Sequence, residues 1–121
     1  MLDQELHQAT LEFARALRYS PAVAVYRATK EALDADKGAQ ALLADMGEQQ
    51  ATLKRMQVSG LSPTQLQIDA LRHSQAAIRA NEIVMAHLRA TTEVKAFLPI
   101  VGRYISASLG FDFAQLVAPS C

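Results

Sequence analysis

Gly60-Leu61-Ser62-Pro63 is the stretch that decides the fold, because it separates two long segments whose composition is typical of helices. Residues 36–59 contain no proline, and residues 64–90 contain neither glycine nor proline. Gly60 can adopt the left-handed backbone conformation that ends many helices. Ser62 can cap the next helix, with Pro63 at the first helical position. The sequence therefore predicts a long antiparallel α-hairpin over about residues 36–90, which we count as helices 3 and 4.

Two further helices are predicted before this hairpin, from apolar side chains that recur every three or four residues. Helix 1 is expected over about residues 2–17. Helix 2 is expected from Ser20-Pro21, which repeats the cap-and-proline signal, to about residue 35. Asp36 is expected to cap helix 3.

The segment after the hairpin has the clearest helical pattern in the chain, with apolar residues recurring over residues 94–109. Thr91-Thr92-Glu93 predicts a weak break before it. Because Pro99 lies inside the pattern, two interpretations stay open. Either helix 5 starts near Leu98, or it continues from helix 4 and kinks at the proline.

The composition fits one small helical domain. Of the 121 residues, 50% are hydrophobic but only 6% are aromatic, and small aliphatic side chains suit closely packed helices. We therefore predict an all-α helical bundle of about five helices, with one domain over residues 1–110 and an apolar tail over residues 111–121. The first residues lack a signal-peptide pattern, and no apolar stretch approaches the ~20 residues of a membrane span. The one cysteine, Cys121, cannot form an intrachain disulfide. We expect a cytoplasmic protein without a membrane partner.

The charge balance argues against binding that is driven by electrostatic attraction. Lys and Arg together number 12, Asp and Glu together number 12, and the formal net charge is zero. Because nucleic-acid-binding domains usually carry an excess of basic residues, direct binding of DNA or RNA is not the first expectation. A local basic patch formed by Lys54, Arg55, Arg72 and Arg79 keeps it as an alternative hypothesis.

The length of helix 4 predicts self-association. About 28 residues would span roughly 42 Å at about 1.5 Å per residue, whereas a compact domain of this size is roughly 35 Å across. The apolar residues Ile68, Leu71, Ile78 and Met85 of this helix fit a heptad spacing. A protruding helix with such an apolar stripe needs another chain to cover it. We therefore predict a homodimer or a higher homo-oligomer, assembled through apolar side chains of helices 3 and 4. The interface residues are expected to be Leu53, Met56, Leu66, Leu71, Ile78 and Met85.

No catalytic or cofactor motif is recognisable in the sequence, so we expect neither enzymatic activity nor a cofactor. His7, His73 and His87 share no metal-ligand spacing. Two polar groups would lie near the hairpin seam, Glu48-Gln49-Gln50 and Asn81-Glu82. They can fix the register of the paired helices, or they can form a polar patch for a partner. A terminal thiol such as Cys121 is usually incidental, although it could contribute to an iron–sulfur cluster shared between chains, which is a second alternative.

The order of these features resembles the YlbF/YmcA family of small helical bacterial regulators, over about residues 5–110. The residues that carry the resemblance are Phe13-Ala14-Arg15-Ala16-Leu17, Ser20-Pro21 and Tyr26, Asp36 and Leu42-Leu43, Gln49, Gln50 and Gln57 before Gly60, then Asn81 and the apolar helix from Phe97 to Leu109.

This resemblance implies an all-α fold with a long hairpin, homo-oligomeric assembly and a regulatory role without enzymatic activity. Relatives act in competence, biofilm formation and sporulation, in a complex that assists an endoribonuclease in RNA processing. The partners implied are a second copy, another family member or a ribonuclease-associated complex. Some relatives carry carboxyl-terminal cysteines associated with an iron–sulfur cluster, and this chain departs from them because Cys121 is its only cysteine. We expect Phe111 and Phe113 of the tail to dock a partner protein.

Overall fold

The computed structural model describes residues 3–119, and all regular secondary structure in this range is helical. The described residues form six helices: α1 (Gln4–Arg18), α2 (Pro21–Ala35), α3 (Lys37–Val58), α4 (Gln65–Ala80), α5 (Glu82–Leu109) and α6 (Phe113–Val117). The prediction of an all-α fold is confirmed. The sequence predicted about five helices, and the additional one is α6 in the apolar tail.

The starts of α1 and α3 follow from their capping residues, whereas the start of α2 does not. The Asp3 carboxylate accepts a hydrogen bond from the Leu6 amide at 2.7 Å, and the Asp36 carboxylate accepts one from the Ala39 amide at 2.8 Å. Each bond satisfies an amide that has no partner inside its helix. Ser20 behaves differently from the prediction, because its hydroxyl donates to the Leu17 carbonyl at 2.6 Å instead of capping α2.

The turn between α3 and α4 confirms one part of the predicted signal and corrects another. Gly60 has a φ of 74°, and the amides of Gly60 and Leu61 donate back to the carbonyls of Gln57 and Met56, as expected for a left-handed helix end. Ser62 is not the cap of the next helix, and Pro63 is not its first residue. Thr64 is the cap, because its hydroxyl accepts a hydrogen bond from the Gln67 amide. In return, the Gln67 side-chain oxygen accepts one from the Thr64 amide, which completes a capping box.

The predicted 28-residue helix 4 is wrong, because the chain breaks at Asn81. Asn81 has an extended backbone, with a φ of −93° and a ψ of 112°. Its side-chain oxygen accepts a hydrogen bond from the Val84 amide at 3.0 Å, which caps the start of α5. The length argument for a protruding helix 4 therefore fails, since the 16 residues of α4 span only about 24 Å. The apolar heptad pattern predicted to run from Ile68 to Met85 is divided between two helices.

The long helix of 28 residues is instead α5. It passes through Thr91-Thr92-Glu93 without a break and continues across Pro99. The prediction that helix 5 starts near Leu98 is therefore wrong. The helix that contains Pro99 begins upstream, at Glu82. Because proline has no amide hydrogen, the Lys95 carbonyl lacks its usual helical donor.

The described residues divide into two compact units, each with a different degree of burial. Arg27–Leu88 form the central unit, and the described residues up to Tyr26 and from Arg89 onward form the terminal unit. In the central unit α3 lies against α4, and a small core collects around Ala39, Ile78 and Val84. The partly buried side chains that pack against this core are Leu33, Leu42, Leu43, Met46, Ile83 and Met85.

None of the helices in residues 3–119 is both long enough and apolar enough to cross a bilayer.

Candidate interaction surface

Large apolar side chains are exposed mainly in the terminal unit. Of the sixteen that are exposed among the described residues, four belong to the central unit: Val58, Leu61, Leu66 and Leu88. The other twelve belong to the terminal unit: Leu6, Leu11, Phe13, Tyr19, Val25, Leu98, Ile100, Tyr104, Leu109, Phe111, Leu116 and Val117. Its one buried hydrophobic side chain within the described range is Ala90. The terminal unit therefore presents a large apolar surface and has almost no interior.

Helix α1 shows this exposure most clearly, because none of its residues is buried and only Leu17 is partly buried. Leu6, Phe13 and Leu17 share one face through their spacing of seven and four residues. Leu6 is 50% exposed and Phe13 is 47% exposed. Thr10 lies on the same face, and its hydroxyl donates to the Leu6 carbonyl at 2.8 Å. That bond satisfies the only polar side chain on the stripe, so the face can be covered by another apolar surface at little cost.

The carboxyl-terminal end of the chain is folded locally. Gly110 has a φ of 81° and ends α5, and the Asp112 carboxylate caps α6 by accepting the Gln115 amide at 3.2 Å. The Phe113 amide donates to the Ser106 hydroxyl at 2.9 Å, which ties α6 to α5. The two docking residues predicted from the sequence thus differ, because Phe111 is exposed whereas Phe113 is partly buried.

A groove lies between α5 and α6, within the terminal unit. Its volume is about 430 Å³, and its lining residues are Leu98, Pro99, Gly102, Arg103, Ser106, Asp112 and Ala114. The walls combine apolar side chains with one cation and one anion. Two of the polar side chains already bind backbone amides, since Ser106 accepts the Phe113 amide and Asp112 accepts the Gln115 amide.

The seam between α3 and α4 contains a polar pair in the central unit. The Gln49 side-chain amide donates to the Ser74 hydroxyl at 2.9 Å, and Ser74 is buried. The Gln49 side-chain oxygen is buried without a hydrogen-bond partner. A small cavity of about 110 Å³ adjoins it, lined by Gln49, Thr52, Leu53, Gln67 and Ala70. The sequence predicted Gln49 to lie near this seam, and its bond to Ser74 joins α3 to α4 there, whereas Asn81 separates two helices.

The six residues predicted to form an oligomer interface fall into different environments. Ile78 is buried in the core, and Met85 packs against it. Leu53, Met56 and Leu71 are partly buried. Leu66 is 79% exposed at the start of α4. Because Ile78 already serves the chain's own core, a charge placed there would test the fold before it tested an interface.

The residues of the alternative hypotheses also have defined places. Lys54 and Arg55 are exposed on α3 and line an open groove, and the Arg55 guanidinium donates to the Thr52 hydroxyl at 3.1 Å. Arg72 and Arg79 are exposed on α4. Cys121 lies outside the described residues.

The histidines do not come together with other metal-ligating side chains. His7 and His73 are exposed, and a ring nitrogen of His87 lies 3.1 Å from the Thr29 hydroxyl. Across residues 3–119 no three histidine, aspartate or glutamate side chains are close enough to hold one metal ion.

Comparison with known proteins assigns the chain to a family. Residues 6–110 match the family described as "Control of competence regulator ComK, YlbF/YmcA". The chain belongs to the YlbF/YmcA family. The resemblance noted from Phe13, Asp36, Gly60 and the apolar segment before Leu109 is thereby confirmed over nearly the whole chain.

Two similar proteins of streptococci agree with this assignment. A UPF0342 protein of Streptococcus uberis is 25% identical over 104 residues, covering 86% of this chain and 93% of the relative. A UPF0342 protein of Streptococcus pyogenes serotype M4 is 25% identical over 108 residues, covering 89% of this chain and 96% of the relative. No solved structure matches the chain significantly.

The sequence identified the apolar stripe of α1 but not its exposure. The apolar periodicity of residues 2–17 and of residues 94–109 predicts helices with an apolar side, but it does not say what covers that side. Each pattern reports that a helix has an apolar side. Whether the same chain covers that side depends on contacts between distant segments, which periodicity does not encode.

Proposed function

We propose that this protein is a non-enzymatic cytoplasmic regulator that self-associates and acts as an adaptor for other proteins. The observation that carries the proposal is the concentration of exposed apolar side chains in the terminal unit. Monomeric soluble proteins rarely leave extended apolar surface uncovered, and such surface marks sites of protein interaction. Family membership supports a regulatory role, because the family is described by its control of a competence regulator.

The carboxyl-terminal segment is the part of this surface that we assign to a partner protein. Phe111, Leu116 and Val117 are exposed, while the bond from the Phe113 amide to Ser106 holds the segment against α5. A fixed backbone that presents aromatic and aliphatic side chains loses little conformational freedom on binding, which favours affinity. The partner is another family member or a component of an RNA-processing complex that includes a ribonuclease, in regulation of competence, biofilm formation or sporulation.

Affinity capture of the tagged full-length protein from its own organism tests the adaptor role. We expect one partner protein to be recovered in stoichiometric amount, and the Phe111→Ala variant to recover at least tenfold less of it. The matched control is Leu61→Ala, which removes an exposed apolar side chain from the central unit and should leave recovery unchanged. Recovery of the bait alone across several growth states would contradict the adaptor role. Equal recovery by both variants would contradict the assignment to Phe111.

A further inference from the structure

One face of α3, close to the turn that leads to α4, is exposed to solvent. It carries the residues that we call the α3 surface: Ala51, Lys54, Arg55, Val58 and Ser59. We propose that the α3 surface docks a short segment of a partner protein that is both acidic and amphipathic. This inference goes beyond the proposed function, because it gives the protein a second docking surface, in the central unit and for a different partner.

The residues of the α3 surface share one helix face, because they recur at the three- and four-residue intervals of a helix. They line an open groove of about 500 Å³. All five are exposed, and Val58 is 83% exposed. The core of the central unit collects around other residues, namely Ala39, Ile78 and Val84. The fold of the central unit therefore leaves this face available to another chain.

The charge of this region has one sign, although the whole chain is neutral. Lys54 and Arg55 are the only charged residues between positions 49 and 68. Neither is paired with a carboxylate in the described part of the chain. The Arg55 guanidinium donates to the Thr52 hydroxyl at 3.1 Å, which leaves most of its five N–H donors available. Two unpaired cations beside the exposed Val58 complement a segment that carries both carboxylates and apolar side chains.

The same stretch of sequence favours a protein segment over a nucleic acid. Proteins that bind single-stranded RNA commonly stack the bases on aromatic side chains, and residues 49–68 contain no aromatic residue. Two cations also neutralise few phosphates, whereas tight binding of nucleic acids draws on many. By contrast, a guanidinium matches a carboxylate in geometry. An amphipathic acidic helix can also place its apolar side on Ala51 and Val58.

The small size of the α3 surface indicates a transient contact. A stable interface involves about 20–30 residues on each side, and the α3 surface has five. An interaction of this size that depends on exposed charges is weakened by salt. We therefore do not expect its partner among proteins recovered in stoichiometric amount, and it differs from the partner that we assign to Phe111.

A labelled peptide tests the α3 surface on the full-length protein. The probe is a helical peptide of about 16 residues, with leucines three and four residues apart and glutamates between them. In fluorescence anisotropy at low salt we expect saturable binding that weakens as salt is added. The Lys54→Gln/Arg55→Gln double variant should bind about tenfold more weakly, because it lacks both cations. The matched control, Arg27→Gln/Lys37→Gln, removes two exposed cations elsewhere in the central unit and should bind like the wild type.

A second variant tests the apolar part of the surface. Val58→Gln should weaken binding of the peptide by about threefold, because it removes the exposed apolar side chain. The helix should persist, since glutamine has a higher helix propensity than valine, and circular dichroism checks this for every variant. A peptide with glutamine in place of each glutamate should not bind.

Three results would overturn the proposal. The first is no binding of the acidic peptide by the wild type. The second is equal binding by the wild type and Lys54→Gln/Arg55→Gln, or an equal loss in Arg27→Gln/Lys37→Gln. The third is tighter binding of a labelled oligouridylate or of phosphatidylglycerol vesicles, which would assign the surface to RNA or to lipid.

These outcomes are independent of the capture experiment. If the peptide fails to bind, a partner that is recovered through Phe111 still supports the adaptor role. If no partner is captured, binding of the peptide to the α3 surface still stands.

Discussion

Replacement of Asn81 by alanine distinguishes the observed break between α4 and α5 from the continuous helix that the sequence predicted. The Asn81 side chain caps α5 through the Val84 amide at 3.0 Å, and the Asn81 amide donates to the Ile78 carbonyl at 3.0 Å. Alanine would retain the second bond and lose the first. The loss of an N-cap of this type costs about 1 kcal/mol.

A helix that continued through residue 81 would predict the opposite change in the unfolding free energy. If residue 81 were inside a continuous helix, Asn81→Ala would raise stability by roughly 0.6 kcal/mol, because alanine has a higher helix propensity than asparagine. The two structures thus differ by more than about 1.5 kcal/mol in the expected change in unfolding free energy. Asn81→Asp is the matched control, since aspartate caps helices about as well as asparagine and should leave stability nearly unchanged.

Urea unfolding followed by circular dichroism is a suitable assay, with all variants at one protein concentration because self-association would shift the midpoint. With a slope of about 2 kcal/mol per molar urea, a loss of about 1 kcal/mol lowers the midpoint by roughly 0.5 M. A midpoint that rises for Asn81→Ala would refute the assignment of Asn81 as the cap that starts α5.

Two further substitution pairs test the turn between α3 and α4 by the same assay. Gly60→Ala should destabilise the protein by about 1 kcal/mol because residue 60 has a positive φ. Gly47→Ala should stabilise it by about 0.8 kcal/mol, because Gly47 lies in a helix interior with no atom near the added methyl group. A gain in stability for Gly60→Ala would contradict the left-handed conformation of residue 60. Thr64→Ala should lower the unfolding free energy by about 1 kcal/mol through loss of the capping box. Ser62→Ala should change it by less than about 0.5 kcal/mol. A larger loss for Ser62→Ala than for Thr64→Ala would show that Ser62 is the cap.

The parts of the fold that were predictable from sequence are those set by local chemistry. Asp36 and Gly60 act where they were expected to, because a carboxylate cap and a left-handed glycine depend only on a few neighbouring residues. The misplaced cap had a local signal that two residues share. Thr64 is followed three residues later by Gln67 and Ser62 by Gln65, so both have the spacing of a capping box and the spacing does not decide between them.

The break at Asn81 was missed because two signals competed. Asparagine followed by Glu82 is a reasonable helix start, with an acidic residue in the first turn. The apolar spacing of Ile68, Leu71, Ile78 and Met85 continued across it and favoured one long helix. Burial decides between them, because Ile78 and Val84 share one core on either side of the break. No pattern within a single helix contains that information.

The interaction surface was only partly predictable for a related reason. The apolar stripes of α1 and α5 were recognisable, and the need for another chain was inferred, but the inference rested on the length of a helix that the structure divides. The surface that remains uncovered is a property of how all helices pack together. Leu66 and Phe13 are both exposed apolar residues, yet only Phe13 belongs to a unit that lacks an interior.

Hydrogen exchange of the wild-type protein at two concentrations tests most directly whether a second copy covers the terminal unit. At micromolar concentration we predict that the amides of α1, around Leu6 to Leu17, exchange slowly. At low nanomolar concentration we predict that the same amides exchange much faster, while those of α3 and α4 change little. Protection of α1 that is independent of concentration, or fast exchange of α1 at both concentrations, would contradict the account.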